Sequence, residues 1–159
     1  MNKILNYILI LFLFGLLSCD YKPILSYKNY QFSINANNIS GDDKINSIII
    51  NKFNNLKGNK KEYYINLTST KEKKIISKNA KGDPVIFELI INVNYEVQRN
   101  DKILIKNNVI RKTTYNNISD KFELESYEKT IINNLATNIS DRIMFSISEL
   151  NEWYLNLSN

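Results

Sequence analysis

The sequence predicts an α+β fold in which two helices pack on one face of a four-stranded, mostly antiparallel sheet. Three observations carry this prediction: a strand–helix–strand start, a long alternation of apolar and polar residues over 85–97, and a final segment whose apolar residues recur every fourth position. A period of two is typical of a half-buried strand, and a spacing of three or four is typical of a helix. The predicted element order is therefore β-α-β-β-β-α.

The first strand and the first helix follow one another near the start of the predicted domain. In "NYQFSINAN", Tyr30, Phe32 and Ile34 alternate with polar residues, which indicates a short half-buried strand. The next stretch, "SGDDKINSIIINKFNNLKG", spaces its apolar residues as a helix does, with Ser40 as the predicted N-cap and Gly58 beyond the C-terminal end. The residues predicted to face the core are Ile45, Ile48, Ile49, Phe53 and Leu56.

Two further strands are indicated by alternation. "EYYINLTST" alternates through Tyr63, Ile65 and Leu67. After the lysine-rich "KEKKIISKNAKGDP", residues 85–97 give the strongest strand signal of the chain, because every odd-numbered residue there is apolar and most even-numbered ones are polar. This pattern is typical of an antiparallel strand with one face against the core and one face in water.

The fourth strand, "KILIKNNVIRKTTY", also carries most of its apolar residues at odd positions. Side chains directly opposite one another in a sheet share a face, so odd positions must pair with odd positions. We therefore predict a three-residue loop, Arg99-Asn100-Asp101, between the last two strands. The pairs expected from this register are Val97–Ile103 and Ile91–Val109.

A long helix is predicted from about residue 117 to about residue 150. Asn117 or Ser119 is the expected N-cap. From Tyr127 to Ile147 the apolar residues recur every fourth position, and such a step advances about 40° beyond a full turn. The apolar stripe therefore winds around the helix. It indicates either an over-hydrophobic helix or a second surface for a partner protein, and the sequence leaves both open.

The N-terminus has the layout of a secretory signal peptide, with Lys3, an apolar run and the small Ser18. The run is shorter than the roughly 20 apolar residues that span a bilayer. Leu-Leu-Ser-Cys, ending at Cys19, resembles the bacterial lipobox, in which the cysteine thiol takes a diacylglycerol and becomes the acylated N-terminus. We therefore predict a cleaved signal peptide over residues 1–18 and a single domain over 19–159, held at the membrane by acyl chains on Cys19.

The composition excludes several classes of chemistry. Histidine is absent and the single cysteine is assigned to lipidation, so no Ser-His or Cys-His pair is available for nucleophilic catalysis. A metal ion would have to be bound by carboxylates alone. We therefore predict no enzymatic activity, no cofactor and no metal site. The 21 Lys+Arg against 16 Asp+Glu favour an acidic partner, and no feature of the sequence points to nucleic acid.

In this order, the motifs resemble the LPS-assembly lipoprotein family (LptE) over nearly the whole predicted mature chain. "CDYKPIL" is similar to the family's "CGFxPLY" start, and "KNAKGDPVIFELIINVNYEV" to its basic residue, glycine and long alternating strand. "NNLATNISDRI" looks like its "LAxxIxxRL" helix. The resemblance implies a lipoprotein in the periplasmic leaflet of the outer membrane that plugs the LptD β-barrel, helps it assemble and binds lipopolysaccharide on its way to the cell surface.

The same resemblance implies candidate ligand contacts. In the family, basic residues before the long strand and ahead of the last helix have been linked to lipopolysaccharide. The matching neighbourhoods here contain Lys78 or Lys81, and Lys121. Ammonium groups at these positions would meet the phosphates of lipid A. The alternative is that these lysines only solvate the ends of loops.

Asp20 keeps two other functions open. In enteric lipoproteins, an aspartate directly after the acylated cysteine tends to hold the protein in the inner membrane. Inner-membrane retention would favour a lipoprotein that binds another envelope lipid or polymer. A purely structural envelope lipoprotein, docking a different barrel, is the other alternative.

Overall fold

The computed structural model describes residues 32–56 and 61–157, with side chains described up to residue 150. Its elements are β1 (Phe32–Gly41), α1 (Asp43–Asn54), β2 (Lys61–Lys78), β3 (Pro84–Arg99), β4 (Lys102–Asn116) and α2 (Lys121–Leu157). The strands lie in chain order in one four-stranded sheet. β1 pairs parallel with β2, and the other two pairs are antiparallel. The predicted α+β class and element order are confirmed.

Several predicted features lie outside the described residues. These are the signal peptide, Cys19, Asp20, Tyr30 and Gly58. The described chain begins at Phe32, which is buried as the first strand's alternation predicted.

The core lies between the sheet and the two helices, which cover the same face. α1 packs on β1 and β2, while α2 packs on β3, β4 and α1. The odd-numbered side chains of the central strands point into this core, as the alternation predicted. The buried apolar ones of β2 and β3 are Tyr63, Ile65, Leu67, Phe87, Leu89, Ile91, Val93, Tyr95 and Val97, and Ser69 of β2 is buried as well.

The winding stripe of α2 is explained by its two neighbours. The stripe is buried from Ile131 to Ile147, and Ile132, Ala136 and Met144 beside it are buried as well. Because α1 lies alongside α2 on the sheet, a stripe that turns around the helix passes from one packing partner to the other. From Ile131 to Ile147 the stripe is therefore buried within the chain, whereas Tyr127, the first residue of the stripe, is exposed.

Both helices begin at an aspartate rather than at the predicted caps. Asp42, not Ser40, caps α1, and its Oδ1 accepts from the N–H groups of Lys44 and Ile45 at 3.1 Å each. Ser40 remains in β1, where its hydroxyl lies 2.9 Å from that of Thr68. Because Ser40 pairs with β2 as part of the sheet, it cannot cap the helix, and α1 begins two residues later, after Asp42.

At α2 the predicted caps, Asn117 and Ser119, were also wrong, and Asn117 is held by the sheet as Ser40 is. The N–H of Asn117 donates to the carbonyl of Val85 at 2.8 Å and so prolongs the pairing of β4 with β3. Asp120 caps the helix instead, because its Oδ1 accepts from the N–H groups of Phe122 and Glu123 at 2.8 and 3.0 Å.

The predicted register between β3 and β4 is wrong by two residues. The turn contains only Asn100 and Asp101, both with positive φ (51° and 58°), which these two residue types tolerate better than most. A register shift between Val97 and the next pair leaves Leu104 as an extra residue on β4. Val97 therefore faces Ile105 rather than Ile103.

The same shift pairs Val93 with Val109 and Ile91 with Arg111, in place of the predicted Ile91–Val109. Odd positions still face odd positions beyond the bulge, as the shared face requires. Ile103, on the turn side of the bulge, is 55% exposed instead of facing the core.

We expect Ile91→Asp to lower the free energy of unfolding by about 3–5 kcal/mol, because it places an unpaired carboxylate in a fully buried site. Asn92→Asp is the matched control on the opposite face, where a carboxylate can still accept from the amide of Asn108. Urea or thermal unfolding of the two variants measures the difference. Equal losses at both positions would contradict the assignment of the core face.

Candidate functional site

The three lysines proposed from the sequence lie at one end of the sheet. β2 ends at Lys78, Lys81 lies in the turn that follows, and α2 begins at Lys121. The last residue of β4, Asn116, pairs with Ile86 near the start of β3, so β4 ends at this same edge. We call this end, defined by the three lysines, the basic end.

The turn that carries Lys81 is held by one asparagine. The Oδ1 of Asn79 accepts from the N–H groups of Lys81 and Asp83, each at 2.9 Å. Its Nδ2 donates to the carboxylate of Asp83 at 3.0 Å. Gly82 takes φ of +90°, a conformation that glycine adopts without steric cost. The backbone under Lys81 is therefore fixed, while its side chain is exposed.

The lysines of the basic end differ in their ion pairs from lysines earlier in β2. Lys71 lies 2.8 Å from Asp42, and Lys73 lies 2.5 Å from Glu128. Within the described part of the chain, Lys78, Lys81 and Lys121 form no ion pair. Their charges are therefore not offset by a direct carboxylate contact there, and they can meet an anionic group from outside.

Exposed apolar side chains lie at the same end. Ile75 and Ile76 are 49% and 53% exposed, and Val85 and Phe122 are 39% and 83% exposed. The alternation had placed Val85 on the buried face, which is wrong for this first residue, and sequence reasoning did not single out the other three. The isoleucine pair inside "KEKKIISK" and the phenylalanine directly after Lys121 were the available signals. Because lysines surround these apolar residues in the sequence, the pattern there is typical of a solvent-exposed segment and does not indicate an apolar surface. The basic end is thus both cationic and apolar.

This apolar surface is open because α1 does not reach it. The N–H of Asp42, at the start of α1, donates to the carbonyl of Ser69 at 3.3 Å. β2 continues for nine residues beyond Ser69, to Lys78. Over that length the sheet extends past the start of α1, and α2 is the helix that remains beside it.

The start of α2 is tied to the sheet by a cluster around Glu128. The Nζ of Lys73 contacts Glu128 and lies 4.0 Å from the ring centroid of Phe87. The hydroxyl of Tyr115 donates to Glu128 at 2.7 Å. Burial, and then the hydrogen bond to Glu128, raise the pKa of Tyr115, so the phenol stays a neutral donor. Strands β2, β3 and β4 are thereby joined to α2 beside the basic end.

Residues 32–56 and 61–157 contain no group of three or more acidic or cysteine side chains placed to hold a metal ion. They also contain no helix that is both long enough and apolar enough to cross a bilayer.

No protein-family model matches the chain, and no curated protein matches it at a significant level. Among solved structures, it is similar to rare lipoprotein B from Shewanella oneidensis, at 17% identity over 79% of this chain and 100% of that chain, with a TM-score of 0.56. It is also similar to an uncharacterized lipoprotein B from Nitrosomonas europaea, at 15% identity over 76% of this chain and 85% of that chain, with a TM-score of 0.59. At such identities the likeness shows a shared fold. Both are described as lipoproteins, and the shared fold is consistent with the resemblance drawn from the sequence.

Proposed function

We propose that this chain is a lipid-anchored lipoprotein of the outer membrane that plugs an LptD-type β-barrel, helps it assemble and assists delivery of lipopolysaccharide to the cell surface. The fold shared with rare lipoprotein B supports the proposal most directly. The lipobox ending at Cys19 supports the anchoring in the periplasmic leaflet. The protein works by binding and assembly, without a catalysed step.

The basic end supports lipopolysaccharide as the ligand. Lipid A joins phosphates to acyl chains, so its receptor needs cationic donors and apolar surface side by side. Lys78, Lys81 and Lys121 supply ammonium groups for the phosphates. Ile75 and Phe122 supply exposed apolar surface whose burial against acyl chains is favourable. Because cationic and apolar side chains lie together at the basic end, the site favours an anionic amphiphile over a purely polar anion.

A second candidate follows from Asp20. If the aspartate after the acylated cysteine retains the protein in the inner membrane, the same basic end would serve another anionic envelope lipid. Localisation therefore separates the two candidates.

The anchor has a direct chemical test. Intact-mass analysis of the protein extracted from membranes should give a chain that starts at Cys19 and carries the added mass of its acyl groups. Cys19→Ser removes the thiol that takes the lipid, so we expect it to remain unprocessed. A wild-type mass that retains Met1, or a Cys19→Ser variant that is processed normally, would contradict the lipobox assignment.

Charge reversal tests the ligand. We expect the triple variant Lys78→Glu, Lys81→Glu, Lys121→Glu to bind lipopolysaccharide at least about ten-fold more weakly, with a reduced salt dependence, because each charged contact contributes about 1.5–3 kcal/mol. The melting temperature should hold, since a glutamate at the start of α2 agrees with the helix dipole. Lys102→Glu, at the other end of the sheet, is the control. Unchanged binding by the triple variant would leave these lysines as solvated loop residues.

Co-expression tests the partner. Expressed with the LptD-type barrel of the same organism, the protein should co-purify as a stable pair and melt at a higher temperature than when isolated, because binding stabilises the folded state. Depleting it should leave the barrel misassembled. Membrane fractionation that finds the protein in the inner membrane with no barrel attached would defeat this function and favour the second candidate.

A further inference from the structure

The sheet face opposite the helices carries a concave polar surface with a volume of about 910 Å³. Its centre is a straight row of four side chains, one from each strand. Ser40 pairs with Thr68, Thr68 pairs with Asn94, and Asn94 pairs with Asn108. We call these four side chains, two hydroxyls and two amides, the amide row. A second line of polar side chains runs beside it.

Hydrogen bonds organise the amide row. The hydroxyls of Ser40 and Thr68 are 2.9 Å apart, and the Nδ2 of Asn108 donates to the Oδ1 of Asn94 at 2.8 Å. The same Nδ2 also contacts Asn92. The side chains therefore have defined orientations, although they are exposed to water.

The surface has donors and acceptors but no net charge. Its two charged groups lie in the second line, where the Nζ of Lys106 is 2.6 Å from Glu96. The hydrogen bond and charge of Lys106 keep the pKa of Glu96 below its usual range, so the carboxylate remains the partner of this ammonium. A phosphate or another anion would meet a cation whose charge Glu96 already offsets. The surface instead suits a neutral ligand rich in hydroxyl and amide groups.

Extended glycans have this chemistry and the right repeat. Neighbouring strands are about 4.8 Å apart, so the amide row offers a polar group at each step over about 14 Å. This step is close to the rise per sugar of an extended β-1,4-linked chain, in which successive sugars are rotated by about half a turn, so that acetamido groups on one side recur at every second sugar. Asparagine side chains both donate and accept, which matches the N–H and C=O of an acetamido group. Tyr64, 44% exposed and next to Asn66 on this face, offers an aromatic ring to the C–H face of a sugar.

We propose that the amide row binds an uncharged glycan of β-1,4-linked N-acetylhexosamine units, laid across the four strands. This site lies on the opposite side of the sheet from the helices and does not use the lysines of the basic end. Its ligand is an envelope polysaccharide chain, and its occupation is independent of lipopolysaccharide binding.

The test uses the full-length protein in detergent, with chitotetraose as the probe and cellotetraose, which lacks acetamido groups, as its matched control. Calorimetry or saturation-transfer NMR should detect chitotetraose and at least ten-fold weaker binding of cellotetraose. The double variant Asn94→Ala, Asn108→Ala should lose at least ten-fold in affinity. Thr114→Ala with Asn116→Ala, on the same face outside the surface, should bind as the wild type does.

Thermal unfolding checks that the variants fold, and Thr68→Val, which replaces only a hydroxyl, provides a second variant if the double one is unstable. Failure of chitotetraose to bind at millimolar concentration would overturn the proposal, as would equal binding by the double variant or by cellotetraose. Loss of barrel co-purification in the double variant without any glycan binding would also overturn it, and would assign the row to a protein interface. None of these outcomes depends on the lysine variants that test lipopolysaccharide.

Discussion

The close approach of Gly41 to Ser69 sets the geometry on which the rest of the structure depends. Gly41 has φ of +100°, and a Cβ there would lie 1.9 Å from the carbonyl oxygen of Ser69, so no other residue fits without moving the backbone. The hydroxyl of Ser69 is buried and donates to Asn46 at 2.8 Å, while the N–H of Asp42 donates to that hydroxyl at 3.0 Å. This junction ends β1, starts α1 and so fixes the crossover that returns the chain parallel to β1.

The position of this junction also decides which part of the sheet is left open. Because α1 starts beside Ser69, the later part of β2 extends beyond it, and the surface that follows is covered from one side by the start of α2 alone. The ion pair between Lys73 of β2 and Glu128 of α2 holds the start of α2 against the sheet. Past them, Lys78 and Ile75 are exposed together. The exposure of the apolar side chains at the basic end thus follows from where α1, on another part of the sheet, begins.

The sequence predicted faces well and boundaries less well, for physical reasons. Alternation is a local property of the chain and was enough to identify the buried face from Phe87 to Val97, although Val85, at the open end of the strand, is exposed. Helix starts depend on competition with the sheet, which kept Ser40 and Asn117 in strand pairing, and Asp42 and Asp120 cap the helices instead. The hairpin register was missed because a two-residue turn plus a bulge at Leu104 preserves the odd-with-odd pairing from which a three-residue loop was inferred.

The candidate sites show the same division. The lysines of the basic end came from a resemblance in sequence, but the amide row depends on the register. In the predicted pairing, Asn94 would have faced Lys106. The turn, one residue shorter than predicted, and the bulge each move β4 by one residue, and together they set Asn108 opposite Asn94 and Lys106 opposite Glu96. One extra residue in β4 therefore both completes the neutral row and pairs the two charges beside it, so this surface could not be read from the sequence pattern alone.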